Sequence, residues 1–150
     1  MKAVIFDWGR TLYNPEEGAL FSDTKSVLEY LKLKNYILAI VALATAGQSK
    51  ITERMSIIEK ENLALYFVSI KFDIENKDKM YEETLFELGL KHEDVFIVDD
   101  RVMRGITWGN KNGCKTIWVQ NGKFANELPD EYSRSPSYTI TSIIQLQDIL

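Results

Sequence analysis

The chain has 150 residues, of which 45% are hydrophobic and 27% charged, a composition that excludes disordered and collagen-like proteins. Its length predicts a single domain over residues 1–150 with a sizeable core. The formal net charge of −4 at pH 7, with lysines and arginines scattered along the chain, argues against direct binding of nucleic acid.

Cys114 is the only cysteine, so no internal disulfide bond forms, and a reducing compartment suits this composition. The N-terminal residues lack the long apolar segment of a signal peptide, and no apolar stretch approaches the length of a membrane-spanning helix. We therefore expect a cytoplasmic protein with no membrane contact. The sequence leaves the oligomeric state open.

The first half of the chain predicts strands that alternate with helices. Residues Ala3–Phe6 form a short apolar run typical of a buried strand, and the polar segment 13–18 forms a loop or small hairpin. The elements that follow are a helix over 24–34 capped by Ser22 or Asp23, a strand over 36–43, a helix with an inner face of Ile51, Met55 and Ile58, a strand over 67–72, and a helix from Lys77 to Leu88 ended by Gly89.

The second half continues the alternation. It contains a strand over 95–98, a helix over 102–112 ended by Gly113, a strand over 116–119, an edge strand over 138–140, and a closing helix over 143–150. Strands alternating with helices at this spacing predict a parallel sheet with helices on both faces.

Acidic residues follow two of the predicted strands. Asp7 ends the first strand, and Asp99 and Asp100 end the fourth. The carboxyl ends of parallel strands open onto the crevice where such sheets bind ligands. Three carboxylates there repel one another unless a cation binds, and oxygen ligands of this kind suit Mg²⁺ rather than zinc. The alternative for Asp7 is that it caps a turn.

Lys77 opens its helix just after the third strand. An ammonium group at that place balances the carboxylates and a phosphoryl group as a compact point charge. Simple solvation of a surface lysine is the alternative. A phosphoryl group is the ligand that we expect beside the magnesium ion.

In chain order, these residues form four motifs: FDWGRTL, the strand YILAIVAL, Lys77 before a helix, and IVDD. They resemble the four motifs of the haloacid dehalogenase superfamily of phosphohydrolases over residues 2 to roughly 120. The segment after IVDD, with Arg104-Gly105-Ile106 and then GCKTIWVQNG, is most similar to small magnesium-dependent phosphatases with minimal caps. The resemblance implies a Rossmann-like three-layer α/β/α sandwich, with parallel sheet order 5-4-1-2-3 and no cap domain.

The resemblance also implies roles for individual residues. Asp7 attacks phosphorus to form an aspartyl phosphate, which water then hydrolyses. Asp99 and Asp100 hold Mg²⁺ with the Asp7 carboxylate and the Gly9 carbonyl, and Lys77 orients the nucleophile and the phosphate. The substrate implied is a small-molecule phosphate ester or a phosphorylated macromolecule. A further residue, Thr11, supports the turn after Asp7 and is a candidate for phosphate binding.

Two positions depart from the family pattern. Gly9 stands where the family usually has a second aspartate, the general acid that protonates the leaving group, and this help is worth typically about 10²–10⁴-fold. Ala42 stands where the second strand usually ends in a serine or threonine that binds a phosphoryl oxygen. Thr45, or the amides of residues 47–49 at a helix N-terminus, are the candidates to replace it.

These departures leave three functional hypotheses. The first is a magnesium-dependent phosphatase that prefers good leaving groups. The second is a catalytically weak or inactive relative that binds phosphate, metal or a protein partner. The third is a phosphorylated receiver domain, which the order of the motifs disfavours because a receiver has its acid pair after the first strand.

Two residues beside Asp7 have a less specific interpretation. Trp8 and Arg10 are candidates for shaping substrate entry, and core packing and solvation explain them equally well.

Overall fold

Six parallel strands form the central sheet of the computed structural model, which describes residues 1–150. The strands are β1 (Ala3–Phe6), β2 (Ile37–Leu43), β3 (Ser69–Asp73), β4 (Val95–Asp99), β5 (Lys115–Val119) and β6 (Tyr138–Ile140). Their order across the sheet is β3-β2-β1-β4-β5-β6. Read from the opposite edge, the first five strands have the expected order 5-4-1-2-3. The sixth strand, β6, extends the sheet beyond β5.

Helices cover both faces of this sheet. They are α1 (Thr24–Leu33), α2 (Gln48–Lys60), α3 (Lys77–Leu88), α4 (Thr107–Asn112) and the short α5 (Leu146–Ile149). A π-helical turn, Val102–Ile106, leads into α4 where the sequence predicted one continuous helix. The three-layer α/β/α sandwich is confirmed.

Alternate side chains of β1 point into two separate apolar clusters. Val4 and Phe6 belong to the cluster that includes the inner face of α1, whereas Ala3 and Ile5 belong to the cluster with Tyr81 of α3. All four β1 residues are fully buried. The central strand is thus held from both sides, which fixes the position of the residue that follows it.

A two-stranded hairpin, Tyr13–Asn14 paired with Ala19–Leu20, fills the connection between β1 and α1. No cap domain is inserted there or elsewhere in residues 1–150. None of the helices has the length and apolarity needed to cross a membrane.

The prediction of a buried inner face of α2 is wrong at Met55 and only partly correct at Ile51. Ile58 is buried, but Ile51 is half-buried and Met55 is 42% exposed. The helix leads into β3, the last strand on that side of the sheet, so no further element covers this part of the helix. A periodic apolar pattern cannot tell a helix at the rim of a sheet from one over its middle.

Candidate active site

The ends of β1 and β4 bring three carboxylates together. The backbone N–H of Asp7 donates to the carbonyl of Val98 at 2.9 Å, which continues the ladder between the two strands by one residue. This register places Asp7 beside Asp99 and Asp100. One oxygen from each carboxylate lies within 4.8 Å of the others, and all three residues are buried.

Lys77 closes the cluster from the third direction. It is the first residue of α3, whose N-terminus is capped by the Asn76 side chain accepting a hydrogen bond from the Lys79 N–H at 3.0 Å. Lys77 is 5% exposed, and its Nζ donates to Asp7 Oδ1 at 2.9 Å and to Asp99 Oδ2 at 2.7 Å. One ammonium therefore orients carboxylates from two different strands.

The proximity of these groups perturbs their ionisation. Burial works against the charge of Lys77, but the carboxylates of Asp7 and Asp99 together raise its pKa well above the ordinary value. Burial likewise opposes the ionisation of Asp7, and the charge and hydrogen bond of Lys77 outweigh it, so the pKa of Asp7 is lowered. Lys77 is therefore an ammonium and Asp7 a carboxylate at neutral pH.

The pair Asp99 and Asp100 divides into two different environments. Asp99 is fully buried, and its oxygens accept bonds from Lys77, from the Gly105 N–H at 2.9 Å and from the Arg101 N–H at 3.0 Å. Asp100 Oδ2 is buried and has no hydrogen-bond partner. Burial and the charge of Asp7 raise the pKa of Asp99. Burial and the charges of Asp7 and Asp99 raise the pKa of Asp100 to about 10.

An unpartnered buried carboxylate oxygen is costly unless a cation meets it. The orphaned oxygen of Asp100, next to Asp7 and in a site of oxygen donors, fits a hard divalent cation such as Mg²⁺. Asp7 and Asp100 also line the open cleft together with Gly9, whereas Asp99 does not. Asp7 and Asp100 are thus the carboxylates best placed to be direct ligands.

The turn after Asp7 is tight. The Trp8 carbonyl accepts hydrogen bonds from the N–H groups of Thr11 at 3.2 Å and of Leu12 at 2.9 Å. Trp8 itself is buried, in stacking contact with Tyr13, so it belongs to the core. The turn holds Gly9 at the cleft, with open space where a side chain would stand.

The three residues considered for phosphate binding differ in whether they reach the cleft; they are Thr11, Ala42 and Thr45. Thr11 is fully buried, and its hydroxyl has no hydrogen-bond partner and no exposure to the cleft. Ala42 is also fully buried. Thr45 is exposed and lines the cleft beside Leu43, at the carboxyl end of β2. Of the two candidate threonines for phosphate binding, the structure therefore brings only Thr45 to the cleft.

The cleft above Asp7 has a volume of about 210 Å³ and a strongly basic lining. Beyond the acids it contains four arginines, a lysine and a phenylalanine. They are Arg10, Arg54, Arg101, Arg104, Lys123 and Phe124. Two of the arginines are ion-paired, Arg10 with Glu16 and Arg101 with Glu127, each at 3.0 Å.

Most of this basic lining was missed by the sequence analysis, which singled out only Arg10 as a cleft candidate. Arg54 lies about two helical turns after Gly47, and in its own segment it looks like an ordinary solvated charge of a surface helix. Arg104 falls inside the segment after IVDD, where only its position in a motif was noted. Lys123 and Phe124 follow β5 in a single 3-10 helical turn, which is too short to carry a periodic signal.

Comparison with protein families finds one match that covers most of the chain. Residues 2–119 match the family model described as haloacid dehalogenase-like hydrolase. A glyceraldehyde 3-phosphate phosphatase of Pyrococcus furiosus is 38% identical over 73 residues, which make up 48% of this chain and 30% of that protein. The protein of the same name from Methanocaldococcus jannaschii is 35% identical over 72 residues, again 30% of its length. This chain thus spans less than a third of either relative.

Solved structures resemble the whole fold. A D,D-heptose 1,7-bisphosphate phosphatase from B. bronchiseptica, complexed with magnesium and phosphate, superposes with a TM-score of 0.80 at 13% identity, covering all of both chains. An HAD phosphatase from Thermococcus onnurineus gives a TM-score of 0.74 at 18% identity, over 99% of this chain and 97% of that one. At these identities the likeness shows the fold.

Proposed function

Because this chain belongs to the haloacid dehalogenase-like hydrolases, we propose that it is a magnesium-dependent phosphatase that acts through an aspartyl phosphate on Asp7. The observation that carries the proposal is the geometry around Asp7. Its carboxylate is ionised, oriented by Lys77 at 2.9 Å, and lines the open cleft. Of the three acids, Asp7 retains the most exposure, at 8% against 2% for Asp100 and none for Asp99.

Asp7, Asp100 and the Gly9 carbonyl are the groups that we propose as Mg²⁺ ligands, with Asp99 supporting them from the buried side. Bound there, Mg²⁺ would neutralise charge on the oxygens of the transferred phosphoryl group. Asp99 holds Lys77 and accepts from the Gly105 N–H, so its main contribution is to fix the ammonium and the loop after β4. Lys77 in turn keeps Asp7 in one orientation.

The proposed reaction has two displacements at phosphorus. A carboxylate oxygen of Asp7 forms a bond to phosphorus while the bond from phosphorus to the leaving oxygen breaks, and that oxygen departs as an anion or takes a proton from solvent. Water then attacks the phosphorus of the aspartyl phosphate, which releases inorganic phosphate and restores the Asp7 carboxylate. Lys77 stays protonated throughout and balances negative charge in both steps.

Gly9 restricts the first displacement. No side chain stands at this position to protonate the leaving oxygen, so that oxygen must leave as an anion or take its proton from solvent. We therefore propose a preference for activated esters, such as aryl and acyl phosphates, over alkyl phosphates. The inactive phosphate-binding module, which the sequence left as an alternative, is the limiting case in which no phosphate ester has a leaving group good enough to depart without a general acid.

The substrate that we propose is a small phosphorylated metabolite. The cleft of about 210 Å³ is smaller than the roughly 300–1,000 Å³ of sites for drug-sized ligands. The two relatives that match half of this chain are named for a triose phosphate, which agrees with a small substrate. We further propose a cytoplasmic location, in keeping with the free thiol of Cys114.

The test is magnesium-dependent release of p-nitrophenol from p-nitrophenyl phosphate by the wild-type chain and Asp7→Asn. We expect turnover that EDTA abolishes and that Asp7→Asn lowers by at least about 10³-fold, since the amide cannot attack phosphorus. Asp148→Asn is the matched control, because it removes an exposed carboxylate of α5 outside the cleft.

Full activity of Asp7→Asn would refute the nucleophile. Absence of turnover in the wild type, with calorimetric binding of Mg²⁺ and inorganic phosphate intact, would identify the binding module instead.

A further inference from the structure

Two arginines of the cleft have no acidic partner. The Arg54 guanidinium and the Arg104 guanidinium make no ion pair within 4.0 Å, whereas Arg10 and Arg101 each do. Both unpaired side chains are partly buried and line the same cleft. The fields of Asp7 and Arg104 both act on Arg54, so all three charges lie near one another.

Arg54 is held in place by neutral groups. Its Nη1 donates to the Leu43 carbonyl at 2.6 Å, and its guanidinium lies over the Phe72 ring with 5.4 Å between the guanidinium carbon and the ring centre. This contact uses one of the five N–H donors of the side chain and leaves the rest for a ligand. The Arg104 side chain donates no hydrogen bond to the protein.

Two like charges kept close together, partly desolvated and without a counter-ion, cost free energy that an anionic ligand can offset. Burial and the charge of Arg104 lower the pKa of Arg54, whereas the charges of Asp7 and Glu53 oppose that effect. Arg54 and Arg104 thus repel each other at the cleft, and neither guanidinium forms an ion pair with an acidic side chain.

A count of formal charges shows that a phosphate ester alone does not balance the unpaired cationic side chains of the cleft, which are Arg54, Arg104 and Lys123. With their carboxylates ionised, Asp7, Asp99 and Asp100 beside Lys77 match one divalent cation. Arg54 and Arg104 then remain, together with exposed Lys123, and carry three positive charges. The dianion of a phosphate monoester balances two of the three.

We propose that Arg54 and Arg104 bind a second anionic group of the substrate, a carboxylate or a second phosphate. The proposal rests on the proposed phosphatase function and deepens it, because it defines the substrate class as a small phosphate ester with a second negative group. Paired guanidinium groups suit such a group since each offers a planar fork of donors. The two arginines act as specificity residues, and the phosphoryl group stays with Asp7 and Lys77.

The test uses inert phosphonates and calorimetry in the presence of Mg²⁺, so that it does not depend on turnover. The probes are 4-carbamoylbenzyl phosphonate, which is neutral at the far end, 4-carboxybenzyl phosphonate, and 4-phosphonobenzyl phosphonate. We expect the wild type to bind 4-carboxybenzyl phosphonate, 4-phosphonobenzyl phosphonate or both at least tenfold more tightly than the neutral amide. Whichever of the two binds more tightly identifies the second group as phosphate or carboxylate.

The variants are Arg54→Gln and Arg104→Gln, with Lys60→Gln as the control that removes one exposed charge from α2 outside the cleft. Each arginine variant should lose the preference for the second anionic group by about tenfold and bind the neutral amide as the wild type does. Lys60→Gln should keep the full preference. Circular dichroism spectra confirm that each variant is folded.

Each other result has a definite meaning. Equal wild-type affinity for all three probes overturns the proposal alone. Equal weakening of all probes in the arginine variants also overturns it, because the arginines then bind the transferred phosphoryl group. A preserved preference without turnover of any phosphate ester supports the proposal and overturns the hydrolytic function, and failure to bind any phosphonate overturns both.

Discussion

At Gly9 the cleft has room for a carboxylate. A Cβ built on this residue meets no atom within 4 Å, and the backbone there is not in the left-handed region that restricts side chains. We predict that Gly9→Asp raises the rate of hydrolysis of an alkyl phosphate, such as glycerol 3-phosphate, by up to about 10²–10⁴-fold, because the new carboxyl can protonate the leaving oxygen. Steady-state release of inorganic phosphate measures it.

Gly9→Asn is the control, since it matches aspartate in size but supplies no acidic proton. It should leave the alkyl rate at the wild-type level. If both substitutions raise the rate equally, steric or hydrogen-bonding effects explain the gain and the general-acid interpretation of this position is wrong. Gly9→Asp should accelerate p-nitrophenyl phosphate far less, because that leaving group needs little protonation.

The thiol of Cys114 makes the free energy of unfolding depend on pH in the alkaline range. Burial raises the pKa of Cys114 from 9.0 to about 12. Above pH 9 the unfolded chain releases the thiol proton while the folded chain keeps it, so the unfolded state binds fewer protons and stability falls as pH rises from about 9 to about 12. Between pH 8 and pH 10 this group should cost the folded state about 1 kcal/mol.

Urea unfolding of the wild type and Cys114→Ala at both pH values isolates this contribution. Cys114→Ala loses some packing at every pH, but the difference in free energy of unfolding between the two proteins should shrink by about 1 kcal/mol at pH 10. A difference that is constant with pH would show that the thiol ionises normally in the folded chain.

At the scale of elements, the approach of α4 to the sheet depends on Gly109. A Cβ there would come within 2.5 Å of Thr116 Cγ2 on β5 and 3.1 Å of Ile97 Cγ1 on β4. Gly109→Ala should therefore destabilise the fold by about 1–3 kcal/mol through overpacking, despite the better helix propensity of alanine. Chemical denaturation measures the change in the free energy of unfolding.

Gly9→Ala serves as the matched glycine substitution, because its Cβ enters open space. It should change the free energy of unfolding by less than about 0.5 kcal/mol. A Gly109→Ala variant as stable as Gly9→Ala would mean that α4 shifts to accept the methyl group at no cost.

The central elements could be predicted from the sequence because their signals are local. An apolar run with an acid at its end defines β1 and Asp7, and the αL glycine Gly89 ends α3 where expected. The sheet order followed from a family resemblance, which the fold confirms. The π-helical turn before α4 was not predicted, since its residues also suit an ordinary helix.

The basic lining of the cleft could not be predicted in the same way. Arg54, Arg104 and Lys123 come from a helix, a turn and a loop that are distant in the chain, and each looks like a solvated surface charge in its own segment. Only the folded chain shows that Arg10 has an acidic partner whereas Arg54 has none. Whether a charge is paired is a property of tertiary structure, which local periodicity does not contain.

For the molecule as a whole, three chain segments meet at the site. The ends of β1 and β4 supply the carboxylates, and the start of α3 supplies the ammonium that joins them. The residues at this junction are 70 and 22 positions apart in the chain, so folding must be complete before the site exists. A cation bound by these carboxylates should therefore stabilise the entire fold and not merely one loop.

Thermal unfolding with and without Mg²⁺ tests this coupling. At a Mg²⁺ concentration about 100 times the dissociation constant, binding to the native state alone adds about 2.7 kcal/mol, which corresponds to a rise in Tm of roughly 5–10 °C for a chain of this size. Asp100→Asn should abolish most of that rise, because it replaces the carboxylate whose oxygen has no protein partner. Its Tm without Mg²⁺ should be close to that of the wild type, since a pKa raised to about 10 keeps Asp100 protonated at neutral pH and the substitution then removes no charge.

Asp148→Asn should keep the full rise in Tm with Mg²⁺, because Asp148 is an exposed carboxylate outside the site. Asp99→Asn should behave differently from both. Its carboxylate accepts bonds from Lys77, Gly105 and Arg101, so the amide loses an acceptor in a buried place and lowers the Tm already without Mg²⁺. Should Asp100→Asn respond to Mg²⁺ as the wild type does, Asp100 is not a ligand, and other groups of the site hold the ion.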